Sequence, residues 1–156
     1  MRKRQFGTAL LLAVILATIG CIHKTGGAVT PWERVTTQNA ILAQSIDTAT
    51  QGTIAAQQAN LITVQQANPV LQFESQAATI QKQITSILAT APAASNVAGI
   101  QSLVNQISVS AQALVSSGAL GVKNPKSQQT IGADIQAIVN SSSVILSSYQ
   151  AAVGGN

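Results

Sequence analysis

The sequence predicts an all-α fold, an up-and-down antiparallel helical bundle of three to four helices with a long first helix. Three observations lead there. Apolar residues recur at alternating intervals of three and four through most of residues 30–153, the spacing that lines one face of a helix. Proline and glycine gather at the few places where those runs stop. The connections between runs are short, which favours antiparallel neighbours, and a mean seam spacing near 3.5 residues suits coiled-coil, knobs-into-holes packing at crossing angles of about 20°.

Taken in order, the first 20 residues are not part of that bundle. Arg2, Lys3 and Arg4 precede an apolar run from Phe6 to Ile19, and Gly20 and Cys21 close it. Cations, then an apolar stretch of about 13 residues, then small residues is the order of a secretory signal peptide. A bilayer core takes about 20 apolar residues to span, so a permanent transmembrane helix is the weaker reading. The cations hold the amino terminus in the cytoplasm while the chain beyond crosses. Residues 1–20 are thus expected to be a signal peptide, residues 21–29 a tether and residues 30–153 one helical domain.

Thr18-Ile19-Gly20-Cys21 resembles the lipobox of bacterial lipoproteins, in which a small residue precedes a cysteine just after the hydrophobic segment. Gly20 and Ile19 match that pattern, while Thr18 stands where the family usually has Leu. The resemblance implies diacylglyceryl transfer to the Cys21 thiol, cleavage after Gly20 and acylation of the new amino terminus. It further implies an exported protein held to a cell membrane or outer membrane through Cys21, and Ile22 after the cysteine is compatible with outer-membrane sorting. Two other readings compete: an uncleaved anchor in which Cys21 is an ordinary apolar residue, and cleavage by an ordinary signal peptidase later, after Ala28. Cys21 is the only cysteine, so the chain forms no internal disulfide although an exported compartment would permit one.

Composition bounds what the remainder does. The formal charge of +4 invites a nucleic-acid reading. Without residues 1–20, however, Lys24, Arg34, Lys82, Lys123 and Lys126 stand against Glu33, Asp47, Glu74 and Asp134, which is close to neutral. No basic patch with interleaved aromatics is left, and nucleic acid is not an expected partner. Ala, Gln, Ser and Thr dominate, and Trp32, Phe73 and Tyr149 are the only aromatics beyond the signal segment. A core of Ile, Val, Leu and Ala is expected to be modestly stable, because Ala contributes little beside a Leu or Ile worth about 1.5–3 kcal/mol.

The first helix opens at Thr30-Pro31-Trp32-Glu33: Thr30 caps, Pro31 takes the first position and Glu33 completes a capping box. Its seam is Val35, Leu42, Ile46 and Ala49, continued by Thr53, Ala56 and Asn60, and it is expected to run to Ala67 with a bend or break near Gly52. Asn68-Pro69 should end it and start the second helix, whose seam is Phe73, Ala77, Ile80, Ile84, Ile87 and Ala91 before Pro92. Ser95 caps a third helix with the seam Val97, Ile100, Val104, Ile107, Ala111 and Leu114, closed by Ser117-Gly118. After a turn over 118–123, Asn124-Pro125 opens the last helix, with the seam Ile131, Ile135, Ile138, Ser142, Ile145, Tyr149 and Ala152.

Groups able to do chemistry are few. His23, the sole histidine, lies in the tether and has no partners for a metal site. Asp47, Glu74 and Asp134 lie on three helices, and packing could bring two of these carboxylates together, but solvated surface acids are the expectation. Asp134 is the one that flanks a seam. Ser141-Ser142-Ser143 lies in no nucleophile elbow, and Gly118-Ala119-Leu120-Gly121 with Lys123 and Lys126 lacks the ending of a P-loop. Trp32 either packs under the first helical turn or rests at a membrane surface. Tyr149 is expected in the core with its hydroxyl at the rim.

No catalytic, cofactor-binding or metal residue is therefore expected, and lipid attachment at Cys21 is the one site. The leading expectation is a membrane-anchored envelope lipoprotein, not an enzyme. Its role would be structural or in protein interaction, as a homo-oligomer or with an envelope protein partner. The alternative is a helical module that binds a small apolar ligand or lipid.

Overall fold

The computed structural model describes residues 29–118 and 124–154. Residues 1–28, with the expected signal peptide, Cys21 and His23, and residues 119–123, where a turn is expected, lie outside them. Among the described residues there are four α-helices and no strand: α1 (Pro31–Gln58), α2 (Val64–Leu88), α3 (Val97–Ser116) and α4 (Pro125–Gly154), with a 3-10 turn at Ala94–Asn96 before α3. Each helix packs on two neighbours in the cyclic order α1, α2, α3, α4, and α1 against α4 is the most extensive interface. Contacts of Asn39 in α1 with Thr85 in α2, and of Trp32 in α1 with Tyr149 in α4, show that these neighbours run antiparallel. The fold is an up-and-down helical bundle, as the seam spacing predicts.

The predicted seams form the core. Val35, Leu42, Ile46 and Ala49 of α1 are buried, and so are Phe73, Ala77, Ile80 and Ile84 of α2. Ile100, Val104, Ile107, Ala111 and Leu114 of α3 join them, together with Ile131, Ile135, Ile138, Ile145 and Tyr149 of α4. The capping box at the start of α1 also forms: the Glu33 N–H donates to Thr30 Oγ1 at 3.1 Å and the Thr30 N–H donates to Glu33 Oε2 at 2.9 Å. Asn124 Oδ1 accepts the N–H groups of Lys126 and Ser127 at 3.1 and 3.3 Å, which caps α4.

Four boundaries differ from the sequence expectation. α1 is long, at 28 residues, but it ends at Gln58 and not at Ala67; α4, with 30 residues, is longer still. Asn60 takes a left-handed φ of 55°, its N–H donates to Gln57 O, and the Leu61 N–H donates to Ala56 O at 2.9 Å. That is a Schellman ending with Asn in the position glycine usually fills. α2 then begins at a second capping box, Thr63 with Gln66, so Pro69 lies inside the helix instead of opening it. Its missing N–H would have paired with the carbonyl of Gln65, an exposed residue where water can substitute. α2 stops at Leu88, leaving Ala91 exposed and Leu88 in the core in its place. Ser95 caps no α-helix, because the chain makes a 3-10 turn through it. α1 also continues through Gly52 without a break.

Two contacts tie the chain ends to the connections. Trp32 is half-buried under the first turn of α1, edge-on to Tyr149 with ring centroids 6.0 Å apart. Tyr149 is fully buried, and its hydroxyl accepts the Ala93 N–H and donates to Ala93 O, both at 3.1 Å. One side chain of α4 therefore fastens the α2–α3 connection. Tyr149→Phe keeps the ring and leaves both Ala93 groups without that partner, and it should lower unfolding stability by about 1–3 kcal/mol in urea titrations.

Candidate functional site

Polar residues interrupt the α1–α2 seam at two levels. In α1 the seam positions run 35, 39, 42, 46, 49 and 53; in α2 they run 67, 70, 74, 77, 81, 84 and 88. Asn39 and Thr53 are the polar members of the first series, and Glu74 and Gln81 those of the second.

The first layer is neutral and satisfied. Asn39 Nδ2 donates to Thr85 Oγ1 at 2.8 Å, while Gln81 Nε2 donates to Thr85 Oγ1 at 2.9 Å and to Asn39 Oδ1 at 3.3 Å. Each group meets a complementary one, as buried polar groups require.

The second layer is charged and incomplete. Thr53 Oγ1 donates to Glu74 Oε1 at 2.8 Å. Glu74 retains only 2% of its exposure, and its Oε2 is buried with no hydrogen-bond partner. From α4, half-buried Asp134 approaches the same level: a Cβ added to Gly52 would stand 3.7 Å from Asp134 Oδ2. Burial pushes the Glu74 carboxyl up to about 7, and the negative charge of Asp134 adds to the rise. The hydrogen bond from Thr53 offsets part of it by favouring the ionised form, and so to a lesser degree does the nearby Thr50 hydroxyl, whose own proton goes to Ile46 O at 2.9 Å. Burial also raises the Asp134 carboxyl.

Of the three helix carboxylates, the bundle thus brings Glu74 and Asp134 together, whereas Asp47 is exposed and accepts only from Gln51 of its own helix at 2.9 Å. The expectation of solvated acids fails for Glu74. Its position on the strict seam of α2, opposite Thr53 on the seam of α1, is the signal that marks it.

Chemically, the pair can hold and release a proton. It is poorly placed to act on a bound substrate, since Glu74 is buried among the helices and only the Gly52 and Asp134 side of the layer meets solvent. The serines at 141–143 are helix residues: Ser142 and Ser143 donate to Val139 O at 2.8 and 3.0 Å. Lys126 is exposed at the start of α4. Two open grooves of about 600 and 590 Å³ lie along α2 and between α2 and α3. Both are lined mainly by amide and hydroxyl side chains such as Gln76, Gln101 and Asn105 and contain no titratable group. Among the described residues no group of three or more His, Cys, Asp or Glu side chains could hold a metal ion, and no helix is long and apolar enough to cross a membrane. No family model, curated protein or solved structure matches the chain.

The raised carboxyl fixes a pH dependence. Glu74 has an ordinary value of 4.5 when unfolded and about 7 when folded, so the native state binds the extra proton between those values. Its contribution is complete below pH 4.5 and is lost as pH rises through about 7. A shift of this size corresponds to about 3 kcal/mol. Urea unfolding should give falling stability from pH 5 to pH 8, and Glu74→Gln should flatten most of that slope, becoming more stable than the wild type at pH 8 by about 1–3 kcal/mol.

Proposed function

We propose that this chain is a membrane-anchored envelope lipoprotein with a non-enzymatic role, structural or in protein interaction. The observation that carries the reading is the order of the first 21 residues: three cations, an apolar run too short to span a bilayer, then Thr18-Ile19-Gly20-Cys21 with the only cysteine of the chain. Acylation at Cys21 would supply firm attachment, since each buried methylene adds about 0.8 kcal/mol and two or three chains act together. The short tether before Pro31 then keeps the bundle close to the membrane, with Trp32 and Tyr149 at the near end.

The bundle supports the second half of the proposal through its surface. Its outward positions carry Gln, Asn, Ser and Thr with little charge, and its grooves are open. Such a face suits a protein partner or a second copy of the chain better than it suits turnover of a substrate. Open, amide-lined grooves give the apolar-ligand alternative little support.

Metabolic labelling with palmitate tests the anchor. The full chain should incorporate label and Cys21→Ser should lose it; labelling that survives the substitution would overturn lipidation at this residue. Crosslinking in the native envelope should then yield discrete products, with either another copy or an envelope protein.

A further inference from the structure

Among the described residues, the layer built by Thr53, Glu74 and Asp134 has no positive charge. Glu74 Oε2 is buried and unpartnered, and Glu74 as a whole is 98% withdrawn from solvent (2% exposed). An ionised carboxylate in that position carries a large desolvation cost unless something positive joins it.

No basic side chain faces it from any helix that packs there. α1 presents the hydroxyls of Thr53 and Thr50, α4 presents Asp134, and α3 contains no titratable residue at all. Lys82 on α2 and Lys126 on α4 are exposed. The layer is not closed off from water, however, because Gly52 is exposed, has no Cβ to cover Asp134, and Asp134 itself is half-buried.

The missing charge is better matched by a proton than by a metal ion. Calcium takes six to eight oxygens and magnesium keeps several waters. Here the helix carbonyls are engaged along their helices, the Thr53 hydroxyl is given to Glu74, and two carboxylates are all that remain.

We propose that Glu74 and Asp134 form a proton-binding site that couples solvent pH to the packing of the bundle end farthest from Trp32 and Tyr149. With a proton on the pair, α1, α2 and α4 close over Glu74. When the proton leaves along the Gly52 side, two neighbouring negative charges stand in the core, and residues 50–62, 64–76 and 125–138 separate. The opposite end stays packed, because Leu42, Ile84, Ile145 and the Tyr149–Ala93 contacts lie beyond the charged layer. The inference does not depend on lipid attachment.

Two measurements on the full chain test it. The sequence has two glutamates, Glu33 and Glu74, so selective carboxyl-carbon labelling gives two glutamate signals. Glu74 should titrate with a midpoint of about 7, and Asp134→Asn should lower that midpoint. Hydrogen exchange, corrected for intrinsic rates, should increase about tenfold from pH 6 to pH 8 in residues 50–76 and 125–138, with far less change in 77–88 and 139–150. Glu74→Gln should abolish this step. A Glu74 midpoint near 4.5 in the folded chain, or an exchange step that persists in Glu74→Gln, would overturn the proposal. So would a midpoint that falls by more than about one pH unit in millimolar calcium or magnesium, since that would make the layer a metal site. Should Glu74→Gln fail to fold, the carboxyl titration of the unsubstituted chain decides.

Discussion

The α1–α4 interface, with the seams that build it, is the constraint on which the rest of this structure depends. α1 and α4 are the two longest helices and make the most extensive contact in the bundle, while α2 and α3 complete the ring around it. With three aromatics after residue 20 and many alanines, the chain cannot stabilise itself through a few large side chains. It relies on many medium-sized contacts in register, where a buried Ile or Leu is worth about 1.5–3 kcal/mol and an Ala much less. Tyr149 is the exception, joining α1 through Trp32 and the α2–α3 connection through Ala93.

A repetitive seam also leaves register underdetermined, since one Ile or Ala resembles the next. The polar layers of α1 and α2 supply the distinction. Sliding α2 along α1 by one heptad would set Glu74 against Ile46 or Asn60, and it would strand Asn39 away from Gln81 and Thr85. A buried polar group without its partner costs about 1–3 kcal/mol, so the observed pairing is favoured over its neighbours even where apolar contacts would be similar.

This view explains what was legible in the sequence. Helix type and the core followed from spacing alone, because a stripe of Ile, Val and Leu at intervals of three and four has one efficient place to go. The turn at 59–63 was hidden because its devices are quiet. Asn60 serves as the left-handed residue where glycine would have announced itself, and Thr63 with Gln66 caps a helix inside a run of similar polar residues. Asn68-Pro69 was the louder signal and the misleading one. Glu74 was obscured by its neighbour: Phe73 drew the apolar stripe to itself, while Glu74 holds the seam position and the bundle buries both. Composition says which residues prefer the interior, but it does not say that Thr53 stands opposite to donate to a carboxylate. The amino-terminal segment and Cys21 are legible by pattern only, outside the described residues.

The two polar layers, finally, are not equivalent solutions to one problem. Asn39, Gln81 and Thr85 meet through neutral hydrogen bonds of 2.8 to 3.3 Å, and a bundle that needed only register had that solution at hand. In the Glu74 layer, by contrast, one oxygen has no partner, the charge of a second carboxylate reaches it, and no cation among the described residues answers either. Replacing Glu74 by a neutral residue would remove the liability and keep the shape, so register alone does not account for a carboxyl there. What a carboxyl adds is a charge that changes with pH, in a bundle whose modest core makes a few kcal/mol a large share of its total stability.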